Sequence, residues 1–387
     1  MPHTFHPQKK DKNGPSFSQL CQPIDGIMAD GPPLTARGNR PLQMTFEQQL
    51  KSLIFFHLEE HTSGRHLLQV LEEDDFAREV IAPPEGIQKS SYFEAINSRG
   101  LEQLVYVFKR LQEQAAKTLP KEHAALGDLV AIDGSLIDAV LSMSWADYRK
   151  GAKKAKVHLG FDLNHSIPAK IFLTDGKGDE RPFVSKILSP GQTGVMDRYY
   201  QCHKNFDLWQ TQGKHFVCRI KAGTKKTVLN NHAVKPDSPV FYDAVVLLGT
   251  PRINQTQKEL RVVGYRVDRV EYWVATDRHD LSAEDVAMIY KLRWDIENFF
   301  GWWKSHLKVY HLIARSRYGL MVQILGGLIT YLLLAIYCRK HHQEKVSIKR
   351  VRELQIKIHN EARNPEISTP GFQGSHEHWD CHLYAKT

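Results

Sequence analysis

The sequence predicts a mixed α/β protein with a helical N-terminal region and a β-rich segment ahead of its last long helices. Three patterns predict this class. Residues 127–223 alternate strand-like apolar runs with short helical segments, and residues 224–277 carry strand-like runs alone. Residues 45–120 and 278–340 repeat their apolar positions at helical spacing. With 387 residues, of which 42% are hydrophobic, we expect two or three domains around a sizeable core.

The order of elements in residues 127–223 narrows the fold. From DLVAIDGSLID to KHFVCRIKAGT the segments follow as strand, strand, strand, helix, strand, helix, strand. This order matches a ribonuclease H-like core, a mixed sheet with helices on both faces. We therefore predict a ribonuclease H-like core built from residues 127–223 and 278–340, with residues 224–277 as a β-rich insertion before the last helical part.

The charge and the cysteines restrict the partners and the compartment. The formal net charge is +9, which favours an anionic partner, and nucleic acid is the commonest one. The five cysteines are scattered without a CxxC pair, as in proteins of a reducing cytoplasm. The first residues are polar and Lys-rich, so no secretory signal is expected, and we predict a cytoplasmic location.

The two ends and the first helical region have separate predictions. Residues 1–44 are rich in Pro, Gly and Lys and predict a flexible arm, and residues 341–387 predict a C-terminal tail. The tail segment SHEHWDCHL contains zinc-binding residue types, but their spacing is too compressed for a known finger. Residues 45–120 suit a helical DNA-binding domain, with an ordinary helical hairpin as the alternative. Its candidate phosphate contacts are Lys89, Ser91, Asn97 and Arg99.

One apolar run has a membrane alternative. No charged residue occurs from Tyr318 to Cys338, and a run of that length can span a bilayer. Gln323 and Thr330 interrupt it, and no second run of this kind follows. We expect a helix buried in the core and no membrane association.

Four polar residues share one face of a predicted helix just before that run. Tyr290, Arg293, Glu297 and Lys304 are spaced 3, 4 and 7 residues apart, which keeps them on one side of a helix. The carboxylate can bind a divalent metal, and the hydroxyl and the cations can hold phosphates. An ordinary i,i+4 ion pair on a solvated helix is the alternative. The apolar neighbours of these residues disfavour it.

The same four residues carry a family resemblance. Y-x2-R-x3-E-x6-K is the motif of the IS4-type DDE transposases, and the sequence resembles that family over about residues 127–337. The resemblance implies that Glu297 is the last of three metal-binding catalytic acids. It also implies that Tyr290, Arg293 and Lys304 bind DNA phosphates beside the cleavage point.

The resemblance also points to the other two catalytic, metal-binding acids. Asp133 in AIDGS matches the first, at the end of an apolar strand where Gly134 lets the backbone leave the sheet. Asp197 in GVMDRYY matches the second, followed by the DNA-binding candidate Arg198, although Tyr199 replaces the glycine usual in the family. The alternative acids are Asp138, thought to lie beyond the strand, and Asp162, Asp175 and Asp179.

Three further residues are candidates for DNA binding. Lys153 and Lys154 lie in the basic stretch KGAKKAKVH between two predicted strands, where they can contact the DNA backbone. Some family members stack an aromatic residue of the insertion on a flipped base. Trp273 is our candidate for that role, with Tyr272 as the alternative, and simple core packing is the ordinary interpretation of both.

The resemblance implies a function for the whole chain. It predicts the transposase of an insertion sequence, with DNA as its partner: the terminal inverted repeats and the target. It further predicts a homodimer on paired ends, at the bacterial nucleoid, that cleaves and joins strands with two Mg2+ ions, for which Mn2+ can substitute. The alternatives are a host-adapted nuclease and a catalytically inactive DNA-binding regulator on the same fold.

Overall fold

The structure is a computed structural model that describes residues 16–34, 42–59, 61–149, 151–307 and 311–363. Within these residues, six helices precede the first strand. They are α1 (Ser16–Ala29), α2 (Phe46–Leu58), α3 (Gly64–Glu73), α4 (Asp75–Val80), α5 (Lys89–Ser98) and α6 (Leu101–Thr118). The helical character predicted for residues 45–120 therefore agrees with the structure.

The first helix corrects part of the predicted N-terminal arm. In α1, Phe17, Leu20, Cys21 and Ile24 are buried, and their spacing forms one apolar stripe along the helix. Phe17 packs edge-on against Phe55 with ring centroids 6.1 Å apart. The flexible arm predicted for residues 1–44 is wrong over α1, because removing this apolar stripe from water stabilises the folded protein. Residues 1–15 and 35–41 lie outside the described part.

Ten strands and two helices follow α6. They are β1 (Leu129–Asp138), β2 (Asp147–Arg149), β3 (Ala152–Asp162), β4 (Ile167–Asp175), α7 (Arg181–Ile187), β5 (Thr193–Met196), α8 (His203–Thr211), β6 (His215–Arg219), β7 (Lys226–Asn231), β8 (Val240–Leu248), β9 (Leu260–Val267) and β10 (Val270–Thr276).

All ten strands belong to one sheet. Its order is β4-β3-β1-β5-β6-β10-β9-β8-β7, and β2 pairs with the beginning of β3. The pairs of β1 with β5 and of β5 with β6 are parallel, whereas the other pairs are antiparallel. Since β10 pairs with β6, the predicted β-rich insertion continues the central sheet. The prediction of a mixed α/β protein is confirmed.

Four helices complete the described chain: α9 (Ala283–Leu292), α10 (Trp294–His306), α11 (Arg317–His342) and α12 (Ile348–Arg363). Ser282 begins α9 with a reciprocal capping box to Asp285. The single helix predicted to carry the four polar residues is divided at Arg293, which ends α9 and precedes α10. Part of the predicted tail is also helical, because Leu354 and Ile358 of α12 are buried. Residues 364–387, including SHEHWDCHL, lie outside the described part.

The apolar run predicted as a core helix is α11. By length and composition this helix is able to cross a membrane, but 89% of its apolar window is buried inside the protein. It packs against α2, α5 and α6. Its polar residues are satisfied internally: Gln323 accepts from the Ile313 backbone N–H at 3.0 Å, and Thr330 donates to the Gly326 carbonyl at 2.8 Å. This burial agrees with the interpretation of a core helix.

Asn97, a predicted phosphate contact, has a structural role instead. Its Oδ1 accepts from the backbone N–H groups of Arg315 and Ser316 at 2.8 and 3.1 Å. These bonds fix the start of α11 onto α5. The prediction is wrong for Asn97, because the amide group that would donate to a phosphate already donates to the Phe93 carbonyl at 2.8 Å.

The sheet separates two apolar cores. On one face, the N-terminal helices and α9 to α11 pack against alternate strand residues such as Ala131, Val195 and Val217. On the other face, α7 and α8 cover the intervening residues, such as Ile132 and Met196. This alternation decides on which side of the sheet each candidate site residue lies.

Candidate active site

Two acids and an arginine lie side by side at three neighbouring parallel strands. Ala131 of β1 is opposite Val195 of β5, and Val195 is opposite Val217 of β6. Two residues further along the chain are Asp133 within β1, Asp197 directly after β5, and Arg219 at the end of β6. They share the face covered by α9 and α10, and neighbouring strands are about 4.8 Å apart. The sequence-predicted acids Asp133 and Asp197 are thus brought together, and Arg219 joins them.

The strand that carries Asp133 does not end there. β1 continues to Asp138, with Gly134 opposite His158 and Asp138 opposite Lys154 of β3. The prediction that Gly134 releases the backbone from the sheet is therefore wrong, and so is the placement of Asp138 beyond the strand. The long neighbouring strand β3 supplies hydrogen-bond partners over the whole length of β1. Gly134 is needed for space instead, since a Cβ there would overlap the Glu180 carboxyl group.

Glu180 is an acid that the sequence analysis missed. Its side chain is only 13% exposed and pairs with Lys156 at 3.1 Å. It also accepts a hydrogen bond from the Tyr200 hydroxyl at 2.8 Å. The carboxylate lies below Gly134, on the face opposite Asp133. Only the tertiary fold brings it there, because in the sequence it is one more acid in the polar stretch GKGDERP.

The pKa values of the two aspartates show how their charge is compensated. Burial raises the pKa of Asp133 to about 7, and the negative charges of Glu180 and Asp197 add to this effect. The Gly134 N–H donates to Asp133 Oδ1 at 2.8 Å, and this hydrogen bond opposes the rise of the Asp133 pKa. Burial likewise raises the pKa of Asp197. The negative charge of these two neighbouring carboxylates is thus incompletely compensated. Carboxylate oxygens are the ligands that a hard divalent cation prefers.

The third acid is held by an arginine. Glu297 Oε1 lies 2.5 Å from Arg293 Nη1, and the Arg293 side chain is 10% exposed. The positive charge of Arg293 also lowers the pKa of both Asp133 and Asp197. Among the described residues, no three His, Cys, Asp or Glu side chains lie close enough together to hold one metal ion. Glu297 is thus linked to the aspartate pair only through Arg293, which it binds and whose charge acts on both aspartates.

Tyr290 is packed more deeply than a residue in contact with DNA. It is 3% exposed, and burial raises its pKa. Its ring lies 6.2 Å from the ring of Tyr272 and 5.7 Å from the Arg293 guanidinium. Tyr272 in turn stacks on Tyr265 at 5.3 Å and lies under the Arg219 guanidinium at 4.7 Å. These rings form a support under both arginines.

Trp273 is not brought to this side of the sheet. It packs against Tyr242 at 5.1 Å in the core on the opposite face, with the Lys226 ammonium 4.3 Å above its ring. Consecutive strand residues point to opposite faces, so Tyr272 is the member of the pair that faces Tyr290. The prediction of Trp273 is therefore wrong, because the alternation along β10 directs its side chain to the opposite face of the sheet.

The predicted lysines lie at the end of β1. Lys154 pairs with Asp138 at 2.6 Å, and Lys153 pairs with Asp147. Burial lowers the pKa of Lys304, whereas the charges of Asp138 and Asp133 raise it. Lys304 and Lys154 therefore lie near the same carboxylate. Arg198 follows Asp197 directly and is exposed.

Comparison with known proteins identifies the family. A family model described as a transposase DDE domain matches residues 125–333, which is more than half of the chain. The protein belongs to the transposase DDE-domain family. The match confirms the resemblance to DDE transposases, and it covers Asp133, Asp197 and Glu297. DDE transposase domains use divalent metal ions, generally Mg2+, and transposases bind DNA.

Individual relatives carry transposase names. The chain is 28% identical over 211 residues to a probable transposase for insertion sequence element IS5377 from Geobacillus stearothermophilus. That alignment covers 53% of this chain and 55% of the relative, so the chain spans about half the length of that protein. It is 24% identical over 282 residues to a Synechocystis protein named as a transposase for IS4SA. The second alignment covers 70% of this chain and 78% of the relative.

Proposed function

We propose that the protein is the transposase of an insertion sequence, which binds the element's terminal inverted repeats, cleaves DNA strands at the ends and joins them to target DNA. The observation that supports this most strongly is the position of Asp133 within β1 and of Asp197 directly after the neighbouring strand β5. Arg293, which binds Glu297, acts electrostatically on both aspartates. Family membership and the transposase names of the relatives support the same activity.

We propose that residues 127–223 and 278–340 form a ribonuclease H-like core. The order β4-β3-β1-β5-β6, with three antiparallel strands followed by two parallel ones, supports this fold. Residues 224–277 form the insertion and extend the same sheet. Residues 45–120 are proposed to contact the terminal repeats. Because their helices share a hydrophobic core with α11, DNA bound there has a fixed position relative to the acids.

The carboxylates Asp133 and Asp197 would hold the metal, and Glu297 would complete the set once Arg293 turns to a DNA phosphate. Mg2+ is the proposed ion, present as two ions, with Mn2+ as a substitute. When bound, such ions activate water or a 3′-hydroxyl and stabilise the leaving oxygen.

The cations around the acids are proposed to hold the DNA. Arg293 and Lys304 would bind phosphates at the cleavage point, with Lys154, Lys153 and Arg198 along the neighbouring backbone. Charge neutralisation and placement of the phosphate are the main requirements of phosphoryl transfer. Tyr290 acts through Arg293, which it supports from below. Tyr272, not Trp273, is the insertion aromatic that we propose to face the DNA.

Two properties of the assembly follow from the proposed reaction. Joining both ends of an element in one event requires two active sites, so we propose a homodimer on paired ends. The substrate is chromosomal DNA, so we propose that the protein works in the cytoplasm at the nucleoid.

The test is a cleavage assay on duplexes that carry the ends of the element in which this gene lies. We expect nicking at the element boundary in Mg2+ or Mn2+, no nicking in EDTA, and no nicking of a duplex with a scrambled end. Nicking that persists in EDTA, or that ignores the end sequence, would overturn the proposal of a metal-dependent, end-specific transposase.

A further inference from the structure

A second basic surface lies beside the aspartates, at the ends of the parallel strands. Because β5 and β6 are parallel, their C-terminal ends meet at one edge of the sheet, the usual location of ligand sites in open α/β sheets. Asp197 and Arg198 follow β5 there, and residues 220–225 follow β6. We call the exposed cations of this edge the cationic rim: Arg198, Lys204, Lys221 and Lys225.

The charge of this stretch is strongly unbalanced. From Arg198 to Lys226 the chain contains seven Lys or Arg residues and a single acid, Asp207. That acid is directed to the loop between β8 and β9, where its carboxylate accepts the backbone N–H groups of Gln257 and Lys258, both at 3.0 Å. Within the described residues, no rim cation forms an ion pair with an acid. This contrasts with Lys153 and Lys154, each of which has an acidic partner.

The rim is held in place by hydrogen bonds to the segment that follows Asp197. Gln201 accepts from the Lys221 backbone N–H at 2.9 Å and donates to the Thr224 hydroxyl at 2.9 Å. Lys226 donates to the carbonyls of Ala222 and Thr224 at 3.1 and 2.9 Å. The same Lys226 ammonium lies over Trp273. The half-buried Trp273 side chain therefore supports the loop from below.

The start of α8 adds to the positive potential. Lys204 lies in its first turn, and the N-cap residue Cys202 makes no side-chain hydrogen bond to the helix. The free N–H groups of a helix N-terminus carry partial positive charge. The rim therefore combines a helix terminus with four side-chain cations that have no acidic ion-pair partner in the part of the chain that the structure describes.

We infer that the cationic rim is a phosphate-binding surface that holds the DNA backbone where the duplex leaves the cleavage site. It binds the sugar-phosphate backbone of any sequence, because lysines on a backbone-anchored loop present charge without a base-reading geometry. This inference rests on the proposed function, in which DNA reaches Asp133 and Asp197. It adds the β6–β7 loop and the start of α8 to the surface that contacts DNA. Trp273 supports that loop through Lys226.

The test compares the double variant K221A/K225A with wild type in binding to a labelled duplex of random sequence, titrated over a range of salt concentrations. Each phosphate contact contributes about 0.9 to the slope of log affinity against log salt. We expect the variant to lower that slope by roughly 2 and to weaken binding at least tenfold at low salt. The loss should be the same for unrelated sequences.

The matched control is K340A/K357A, which removes two exposed lysines from the end of α11 and from α12. The end of α11 lies beside His165 in the β3–β4 turn, at the other edge of the sheet. This control should keep the wild-type slope. The inference is wrong if K221A/K225A keeps the wild-type slope, or if the control loses as much as the rim variant does.

The two proposals fail in different ways. If wild type cleaves element ends in Mg2+ but K221A/K225A binds DNA with an unchanged slope, the rim is wrong and the transposase function stands. If wild type cleaves nothing while the rim variant loses affinity and slope, the protein binds DNA through the rim but the proposed reaction is wrong.

Discussion

Asp133 of β1 and Asp197, the residue that follows β5, each lie two residues beyond the paired Ala131 and Val195. Asp133 is fixed by its strand, and the strands of a sheet core are its most rigid part. Asp197 begins the turn after β5, where its carboxylate accepts a hydrogen bond from the Tyr199 N–H at 2.9 Å. Glu297 lies on a helix and is held by Arg293.

Replacing Asp133 by Asn should stabilise the metal-free protein at neutral and alkaline pH. Burial raises the pKa of Asp133 to about 7 from 3.8, so between these values the unfolded chain has lost the proton that the folded protein keeps. Wild type therefore loses stability as the pH rises through this window. We expect the advantage of Asp133→Asn to grow by roughly 2 kcal/mol between pH 5 and pH 8, measured by denaturant unfolding in EDTA.

The exposed Asp237 provides the control for that measurement. Asp237→Asn should follow the pH profile of wild type. Added Mg2+ should stabilise wild type more than Asp133→Asn. A ligand that binds the folded protein raises the free energy of unfolding, and it does so more when it binds more tightly. A pH-independent difference between Asp133→Asn and wild type would contradict the environment assigned to Asp133.

Replacing Gly134 by Ala should destabilise the fold through Glu180. The added methyl group would overlap the Glu180 carboxyl group, and such overpacking costs roughly 1–3 kcal/mol. In a double-mutant cycle, Gly134→Ala should cost at least about 1 kcal/mol less when Glu180 is already Ala. Gly301→Ala in α10, where nothing lies within 4 Å, should be neutral or stabilising. Equal costs in both backgrounds would show that Glu180 is not the obstacle.

The buried pair Asp243–Arg261 should be one of the most sensitive points of the insertion. Arg261 Nη2 lies 2.7 Å from Asp243 Oδ2, and both side chains are under 10% exposed. Arg261 also donates to the Leu281 carbonyl just before α9, so it ties the insertion to the helices that bear Glu297. Asp243→Ala leaves a buried cation and should cost about 3–5 kcal/mol in unfolding free energy.

The exposed pair Arg266–Glu271 on the neighbouring hairpin is the comparison. Its side chains are 60% and 43% exposed, so Glu271→Ala should change the unfolding free energy by less than about 1 kcal/mol. Similar costs in unfolding free energy for Asp243→Ala and Glu271→Ala would show that the buried pair does not tie the insertion to α9.

Lys304 should contribute one phosphate contact. Lys304→Ala is expected to reduce the salt slope of DNA binding by about 0.9. Lys291→Ala, which removes an exposed lysine of α9, should leave that slope unchanged. If Lys304→Ala binds with the wild-type slope, the lysine instead serves its contact with the Phe300 ring within α10.

The sequence was most informative where one periodicity dominates. The apolar runs that end in an acid correctly predicted β1 and β5. The spacing of Tyr290, Arg293 and Glu297 predicted the helical face that they share. The extension of β1 past Asp133 was not predictable, because it depends on the length of its partner β3. The pairing of β10 with β6 makes the insertion part of the central sheet. This pairing was not predictable either, because it too depends on which strand becomes the neighbour.

The parts of the site that were missed depend on tertiary contacts. Arg219 was not recognised, because its position beside Asp197 follows from the register of β5 and β6. Glu180 lies below Gly134 only once α7 packs on the sheet. Trp273 and Tyr272 were both candidates, and the alternation along β10 assigns Trp273 to the opposite face. The helix α1 was missed because Pro and Gly around it dominated the composition.

The central claim is that Asp133, Asp197 and Glu297 form one metal-dependent site for cutting DNA. Its most direct test is Glu297→Gln, which keeps the size of the side chain and its contact with Arg293 but removes the negative charge. On element-end duplexes in Mg2+, we expect Glu297→Gln to bind like wild type and to lose nicking by at least about a hundredfold. Glu284→Gln on α9 should nick like wild type. Wild-type nicking by Glu297→Gln would contradict the assignment of Glu297 and the site built on it.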